Sequence, residues 1–154
     1  MAHWRSAVTA QVADEELIRL YAGQAVTHVN KDMYRAWLGR EFVLQRCAKC
    51  GRWQQPPAPL CAGCWSCDLS MQPASGLGTI HLLIRLHQGP EVPGVDYAAG
   101  PVPVATVELD EQAGLRLSGI VTGEDAERAA IGDRVVVTWL DRNGAFVPAF
   151  RIGG

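Results

Sequence analysis

Two kinds of hydrophobic periodicity run along this chain, helical spacing near its start and strand spacing in its second half. From Thr79 the period is two: Ile80, Leu82, Ile84 and Leu86 alternate with His81, Leu83, Arg85 and His87, which predicts a half-buried strand. Pro103–Leu109 and Leu115–Val121 are expected to form a hairpin around the polar turn Asp110–Gly114, with Pro103 near a strand start, where it is tolerated. Arg134–Leu140 and Ala145–Ile152 are expected to form another, around Asp141-Arg142-Asn143-Gly144, a turn of the Asn-Gly kind. Gly123–Ala130, with Glu124 and Asp125 near its start, predicts a short helix between the two hairpins. Five strands with a helix between the third and fourth is the element order of an OB-fold barrel.

Nearer the start, Asp14–Tyr21 opens with three acids and predicts a short helix ending at Gly23. A second helix, Lys31–Leu38, is predicted with Asn30 as its N-cap and Gly39 as its stop. Met33, Tyr34, Trp37 and Leu38 fall on one face of it. Such a stripe normally packs on the chain's own core. The remaining elements offer little area to cover two helices, so another chain is the alternative occupant. Residues 1–13 show no pattern and are expected to fray or to dock on something else. Phe42–Arg46 is a short predicted strand. Ser75-Gly76-Leu77-Gly78 is a glycine-rich hinge whose GxG lacks the rest of a nucleotide fingerprint. The Gln88–Pro101 loop, rich in glycine and proline, is long enough to be a functional candidate.

The helical and strand regions are separated by cysteines. Cys47-Ala48-Lys49-Cys50 and Cys61-Ala62-Gly63-Cys64 are two CxxC knuckles, a spacing that points to a metal site. Four thiolates close a tetrahedral Zn²⁺ shell and leave no position for substrate, so the expected metal is structural. Pro56-Pro57-Ala58-Pro59 between them cannot be helical and predicts a stiff extended arm. Two knuckles joined by such an arm make a zinc ribbon. Cys64-Trp65-Ser66-Cys67 is a third, overlapping CxxC, so Cys67 competes with Cys61 for the ligand set. The glycine-containing turn favours Cys47, Cys50, Cys61 and Cys64. Iron in the same four-sulfur cage stays open. Disulfides are the bland alternative; an odd cysteine count and no signal-peptide core after Met1-Ala2-His3-Trp4-Arg5 speak against them.

Composition changes the picture in one respect. With 48% hydrophobic and 19% charged residues the chain has ordinary globular composition. No apolar run approaches a membrane span, and reduced cysteines point to the cytoplasm. Charge, however, is uneven: residues 31–53 carry a net +4 and residues 75–154 a net −4. The basic stretch is either a solvated surface or an anion site. Three parts are therefore expected: a helical segment (1–40), a zinc ribbon (41–74) and an OB fold (75–154), a mainly β chain with N-terminal helices.

In these residues the chain resembles the zinc-ribbon/OB-fold proteins of domain-of-unknown-function family thirty-five. The matching stretches are Leu44-Gln45-Arg46-Cys47-Ala48-Lys49-Cys50-Gly51, Pro56-Pro57-Ala58-Pro59-Leu60-Cys61, Ser75-Gly76-Leu77-Gly78-Thr79-Ile80, Val104-Ala105-Thr106-Val107-Glu108-Leu109, Ile131-Gly132-Asp133-Arg134-Val135 and Phe150-Arg151. They fall in order from about Met33 to Arg151. Cys67 departs from the usual pattern.

The resemblance implies N-terminal helices, a rubredoxin-like zinc ribbon and an OB fold. It implies a subunit without catalytic residues, in a hetero-oligomer with an acyl-CoA enzyme of lipid or steroid metabolism. That enzyme would be thiolase-fold (a thiolase, an acyltransferase or a steroid side-chain retro-aldolase) or a hot-dog-fold enoyl-CoA hydratase. The chain would stabilise it and help wall its acyl-CoA channel.

CoA carries phosphates and an adenine, so a site for it needs cations and a flat apolar surface. Arg46, Arg52 and Trp53 are the candidate contacts. The plain alternative is Trp53 as ribbon core and both arginines as solvated charges. Nucleic-acid binding is the reading from another class, since both folds do it, but an acidic barrel opposes phosphate. An independent enzyme would have to use His81, Arg85 and His87, expected to share one strand face, and no nucleophile or carboxylate pairs with them by sequence.

Overall fold

The computed structural model describes residues 12–153; residues 1–11, most of the segment expected to fray or dock, lie outside the described residues. The chain divides into two compact units. One runs up to Ala74 and includes Gly144–Phe146; the other holds Ser75–Asn143 and the rest of the last strand.

The first unit begins with α1 (Asp14–Leu20) and α2 (Lys31–Leu38). Asp14 ties them together, pairing with Lys31 Nζ at 2.9 Å and with Arg35. Leu17, Tyr21, Met33, Tyr34, Ala36 and Trp37 are buried. Their aromatic rings stack in series, Tyr21 on Tyr34 at 4.6 Å and Tyr34 edge-on to Trp37 at 5.2 Å. Burial pushes the Tyr21 phenol well above its ordinary pKa, and its hydroxyl donates to the Phe146 carbonyl at 2.8 Å. The α2 stripe thus packs on the chain itself, with Leu38 half-buried at its edge. Asn30 does not cap α2. Its own backbone is near-helical (φ −110°, ψ −5°), so its side chain turns backwards: Oδ1 accepts the Thr27 N–H at 2.7 Å and Nδ2 donates to Ala25 O.

A three-stranded antiparallel sheet follows, in the order β2 (Trp53–Gln54), β1 (Val43–Cys47), β3 (Leu69–Pro73). Val43 and Leu44 are fully buried.

The second unit is a five-stranded sheet in the order β6-β5-β4-β7-β8, from β4 (Leu77–Leu86), β5 (Val102–Leu109), β6 (Arg116–Ile120), β7 (Arg134–Arg142) and β8 (Ala145–Ile152). A parallel bridge between Val121 and Phe150 joins the far edges, and Thr122 N–H donates to Phe150 O at 2.7 Å. That contact closes the sheet into an OB-type barrel. Ile80, Ala105, Val107, Leu109, Val135, Ala149 and Phe150 fill the interior. The β7–β8 turn needs two left-handed residues, and Asn143 (φ 57°) and Gly144 (φ 90°) supply them.

Three expectations change here. First, β4 does not keep one phase. A bulge between Ile80 and Leu82 inserts one residue, so Ile80 is buried whereas Leu82 and Ile84 are 55% and 57% exposed. His81, Arg85 and His87 consequently do not form a common face. His81 sits in the bulge, His87 lies past the strand end, and Arg85 donates to the carbonyls of Glu127 (2.9 Å) and Ala129 (3.0 Å). Second, the helix over Gly123–Ala130 is only a 3-10 turn, Ala126–Arg128. The chain is already extended at Ala129 (φ −48°, ψ 135°), and Arg85 holds the Glu127 and Ala129 carbonyls. Third, the hinge is shorter than Ser75–Gly78, because Leu77 and Gly78 already belong to β4.

Gly78 is there for space. A Cβ would lie 2.5 Å from both Glu108 O and Val107 Cγ1 on β5. Backbone cannot yield as a flexible side chain does, so Gly78→Ala is expected to cost about 2–3 kcal/mol. A lowered denaturant midpoint checks this. No described helix is long and apolar enough to cross a membrane.

Candidate metal centre

Strand β1 delivers Cys47, buried, at its end. The chain then turns tightly: Gly51 N–H donates to Cys47 O at 2.9 Å, and Gly51 takes φ 75°. The turn brings Cys50 round and returns as β2. The second knuckle repeats this design between the proline arm and β3. Trp65 N–H donates to Cys61 O at 2.9 Å, and Cys61 N–H pairs with Ser66 O.

The two turns face each other with their sulfurs converging. Cys47 and Cys64 are 3.7 Å apart at sulfur, Cys50 and Cys61 3.5 Å, and all four lie within 4.8 Å of one another. A tetrahedron with metal–sulfur bonds of 2.3 Å has edges of about 3.8 Å, so the set fits a zinc-sized ion. The Gly63 N–H points at Cys61 Sγ at 3.3 Å. That amide, more than any other group, holds the Cys61 thiol down to about 6, with the Cys64 amide helping. At Cys50 the Arg52 amide acts the same way but is outweighed by the neighbouring sulfurs, Cys61 first, and the thiol is raised. Cys67 is exposed and outside the cluster.

Two buried glutamines position the second knuckle. Gln54 Nε2 donates to Gln45 Oε1 (2.6 Å) and to Leu60 O (3.2 Å), while Gln54 Oε1 accepts the Ala62 N–H (3.1 Å). Gln45 accepts the Ala58 N–H (2.9 Å) and donates to Ala58 O (3.0 Å). The proline arm, which cannot satisfy itself by helix or sheet, is pinned to β1 at Ala58 and to β2 just past its end, at Leu60 and Ala62. Sequence reasoning missed this pair. Its one signal was a glutamine after the apolar Phe42-Val43-Leu44 and another after Trp53.

The residues proposed for an anion lie on the same knuckles. Arg46 stands opposite Trp53 in the β1–β2 ladder, with its guanidinium 4.9 Å from the ring centroid and Nε donating to Gly51 O at 3.1 Å. Arg52, exposed, lays its stem over the second knuckle, its Cδ 3.0 Å from where a Cβ on Gly63 would sit. Trp53 is half-buried. The three share one end of the ribbon.

This arrangement has known counterparts. Residues 38–70 match the family described as ChsH2, rubredoxin-like zinc ribbon domain, and residues 71–140 match ChsH2, C-terminal OB-fold domain. A chain of the solved Ltp2-ChsH2(DUF35) aldolase is 34% identical, with a TM-score of 0.72 over 84% of this chain and 98% of that one. The chain belongs to the ChsH2-type DUF35 family. A DUF35 protein of unknown function from Sulfolobus solfataricus shares the fold at 13% identity and a TM-score of 0.57. Two curated relatives were also found. A probable enoyl-CoA hydratase alpha subunit from Thermomonospora curvata is 34% identical over 128 residues, 82% of this chain and 38% of that protein. The 3-oxo-4,17-pregnadiene-20-carboxyl-CoA hydratase alpha subunit from Mycobacterium tuberculosis is 36% identical over 101 residues, 66% of this chain and 30% of that protein. The chain spans about a third of the length of these curated relatives.

Proposed function

We propose that this DUF35 chain is a non-catalytic subunit that binds and stabilises a thiolase-like acyl-CoA enzyme and helps form its acyl-CoA channel, in the manner of a steroid side-chain retro-aldolase. The observation that carries it is the likeness of 84% of this chain to nearly the whole of a chain of the Ltp2-ChsH2(DUF35) aldolase. The helical segment (1–40), ribbon (41–74) and OB fold (75–154) would act as one cytoplasmic subunit of that hetero-oligomer. Cys47, Cys50, Cys61 and Cys64 would hold a structural Zn²⁺, the closed sulfur shell leaving the metal no substrate position. Arg46, Arg52 and Trp53, grouped on the knuckles, are the proposed acyl-CoA contacts. A hot-dog-fold hydratase is the second reading of the partner, favoured by the hydratase names of the curated relatives.

Size exclusion of the purified chain mixed with the Ltp2 aldolase tests the first reading, and mixing with a hot-dog-fold hydratase subunit tests the second. Co-elution is the expected result in the first mixture. Failure to co-elute in both mixtures would sink the subunit reading, and turnover of acyl-CoA by the chain alone would overturn its non-catalytic part.

A further inference from the structure

The two knuckles are built alike but end differently. In Cys47-Ala48-Lys49-Cys50-Gly51 and in Cys61-Ala62-Gly63-Cys64-Trp65 the fifth residue closes the turn through its N–H onto the first carbonyl at 2.9 Å. In both it adopts a left-handed backbone, φ 75° at Gly51 and φ 60° at Trp65. Glycine enters that region freely, whereas a residue with a bulky side chain crowds its own carbonyl there. The second knuckle therefore carries tryptophan where the first shows that glycine suffices. The side chain returns nothing to the core either, being 76% exposed. A strained position and a large apolar surface left in water coincide at one residue, and neither helps this chain fold.

Its surroundings define what would cover it. Leu60, 44% exposed, is the other large apolar side chain left in water in the ribbon and immediately precedes Cys61. From Arg46 to Cys67 the sequence holds Arg46, Lys49 and Arg52 and no aspartate or glutamate. Arg52 lies across the same knuckle, its stem against Gly63. The site is thus an exposed apolar side chain in a net-basic neighbourhood, with Arg52 across the same knuckle, Lys49 on the facing one and Asp68 the one acid close in sequence. Its complement is an apolar pocket with carboxylates at its rim. Tryptophan is enriched among interface anchors, and the net positive charge would steer the encounter.

We propose that Trp65 is the anchor by which the second knuckle docks into an apolar, acid-rimmed pocket of the partner acyl-CoA enzyme. This rests on the subunit reading given above.

The test measures dissociation constants of the zinc-loaded chain with the Ltp2 aldolase, for wild type, Trp65→Gly and Trp65→Asn. Asparagine tolerates the left-handed region and removes the apolar ring. Thermal midpoint and zinc content are recorded for each. The expected result is binding weakened at least tenfold in both variants, with zinc retained and the midpoint of Trp65→Gly equal to or above wild type. In the same series Lys49→Glu should slow association and flatten its salt dependence. If wild type binds and both Trp65 variants bind as tightly, the docking role is overturned while the subunit reading stands. If wild type itself fails to bind the Ltp2 aldolase, the thiolase-like reading of the partner falls and the docking falls with it. A lowered midpoint or lost zinc in both Trp65 variants would place the tryptophan in the fold's own service and overturn the proposal.

Discussion

Stripping the metal from the four-cysteine cluster is expected to unfold the ribbon and leave the OB barrel's sheet intact. The ribbon has little else to hold it. Its three strands contain five, two and five residues. Besides Val43 and Leu44, the fully buried side chains in its strands and knuckles are Cys47 and Cys61 themselves. Without a cation the four sulfurs, within 4.8 Å of one another, repel once ionised and hold the knuckles together only weakly when protonated. A structural zinc supplies on the order of 10 kcal/mol or more at neutral pH, far more than any single contact in this unit. The barrel has its own core in Ile80, Val107, Leu109, Val135 and Phe150. A strong chelator, or Cys61→Ser, should therefore collapse amide dispersion for residues 43–73 while β4–β8 keep theirs. A ribbon that stays ordered after complete metal removal would contradict this.

The second large effect is expected at Gln45. Replacing it with leucine leaves the Ala58 N–H and carbonyl without their partner, and strands one Gln54 donor. Gln45 and Gln54 are only 5% and 8% exposed, so water does not readily replace the lost bonds. An unmade bond at a buried polar group costs about 1–3 kcal/mol, and three groups are affected. The expected loss is about 3 kcal/mol or more of ribbon stability. Gln54 also carries the Ala62 N–H, one residue from Cys61, so loosening the pair should speed zinc release to a chelator. Gln45→Leu and Gln54→Leu combined should cost clearly less than the sum of the singles, because each single already breaks the shared bond. Additive costs would show that the glutamines act separately.

Much of this was legible in the chain. The CxxC spacing named the sulfur cluster because knuckle geometry is local: five consecutive residues set each turn. Ala145–Ile152 and the Asn143-Gly144 turn were legible because left-handed turn chemistry is also local. Less legible was whatever depended on partners distant in sequence. Nothing within β4 announces the bulge that exposes Leu82 and Ile84; it exists in the register with β5. The short 3-10 turn where a helix was expected stops at Ala129, which is extended, and its end is held by Arg85, more than forty residues upstream.

The sequence by itself determined the order of parts, the four-cysteine chemistry and the family, since these rest on residue types at fixed spacing. Tertiary structure alone decided three things. It left Cys67 out of the cluster, because the Trp65–Ser66 turn carries the chain away from the other sulfurs. It put Gln45 and Gln54 beneath the proline arm, because an arm without ladder bonds must be satisfied by side chains from elsewhere. And it set Trp65 in the left-handed corner, in water, because two knuckles of one design must turn alike whatever residue each carries there.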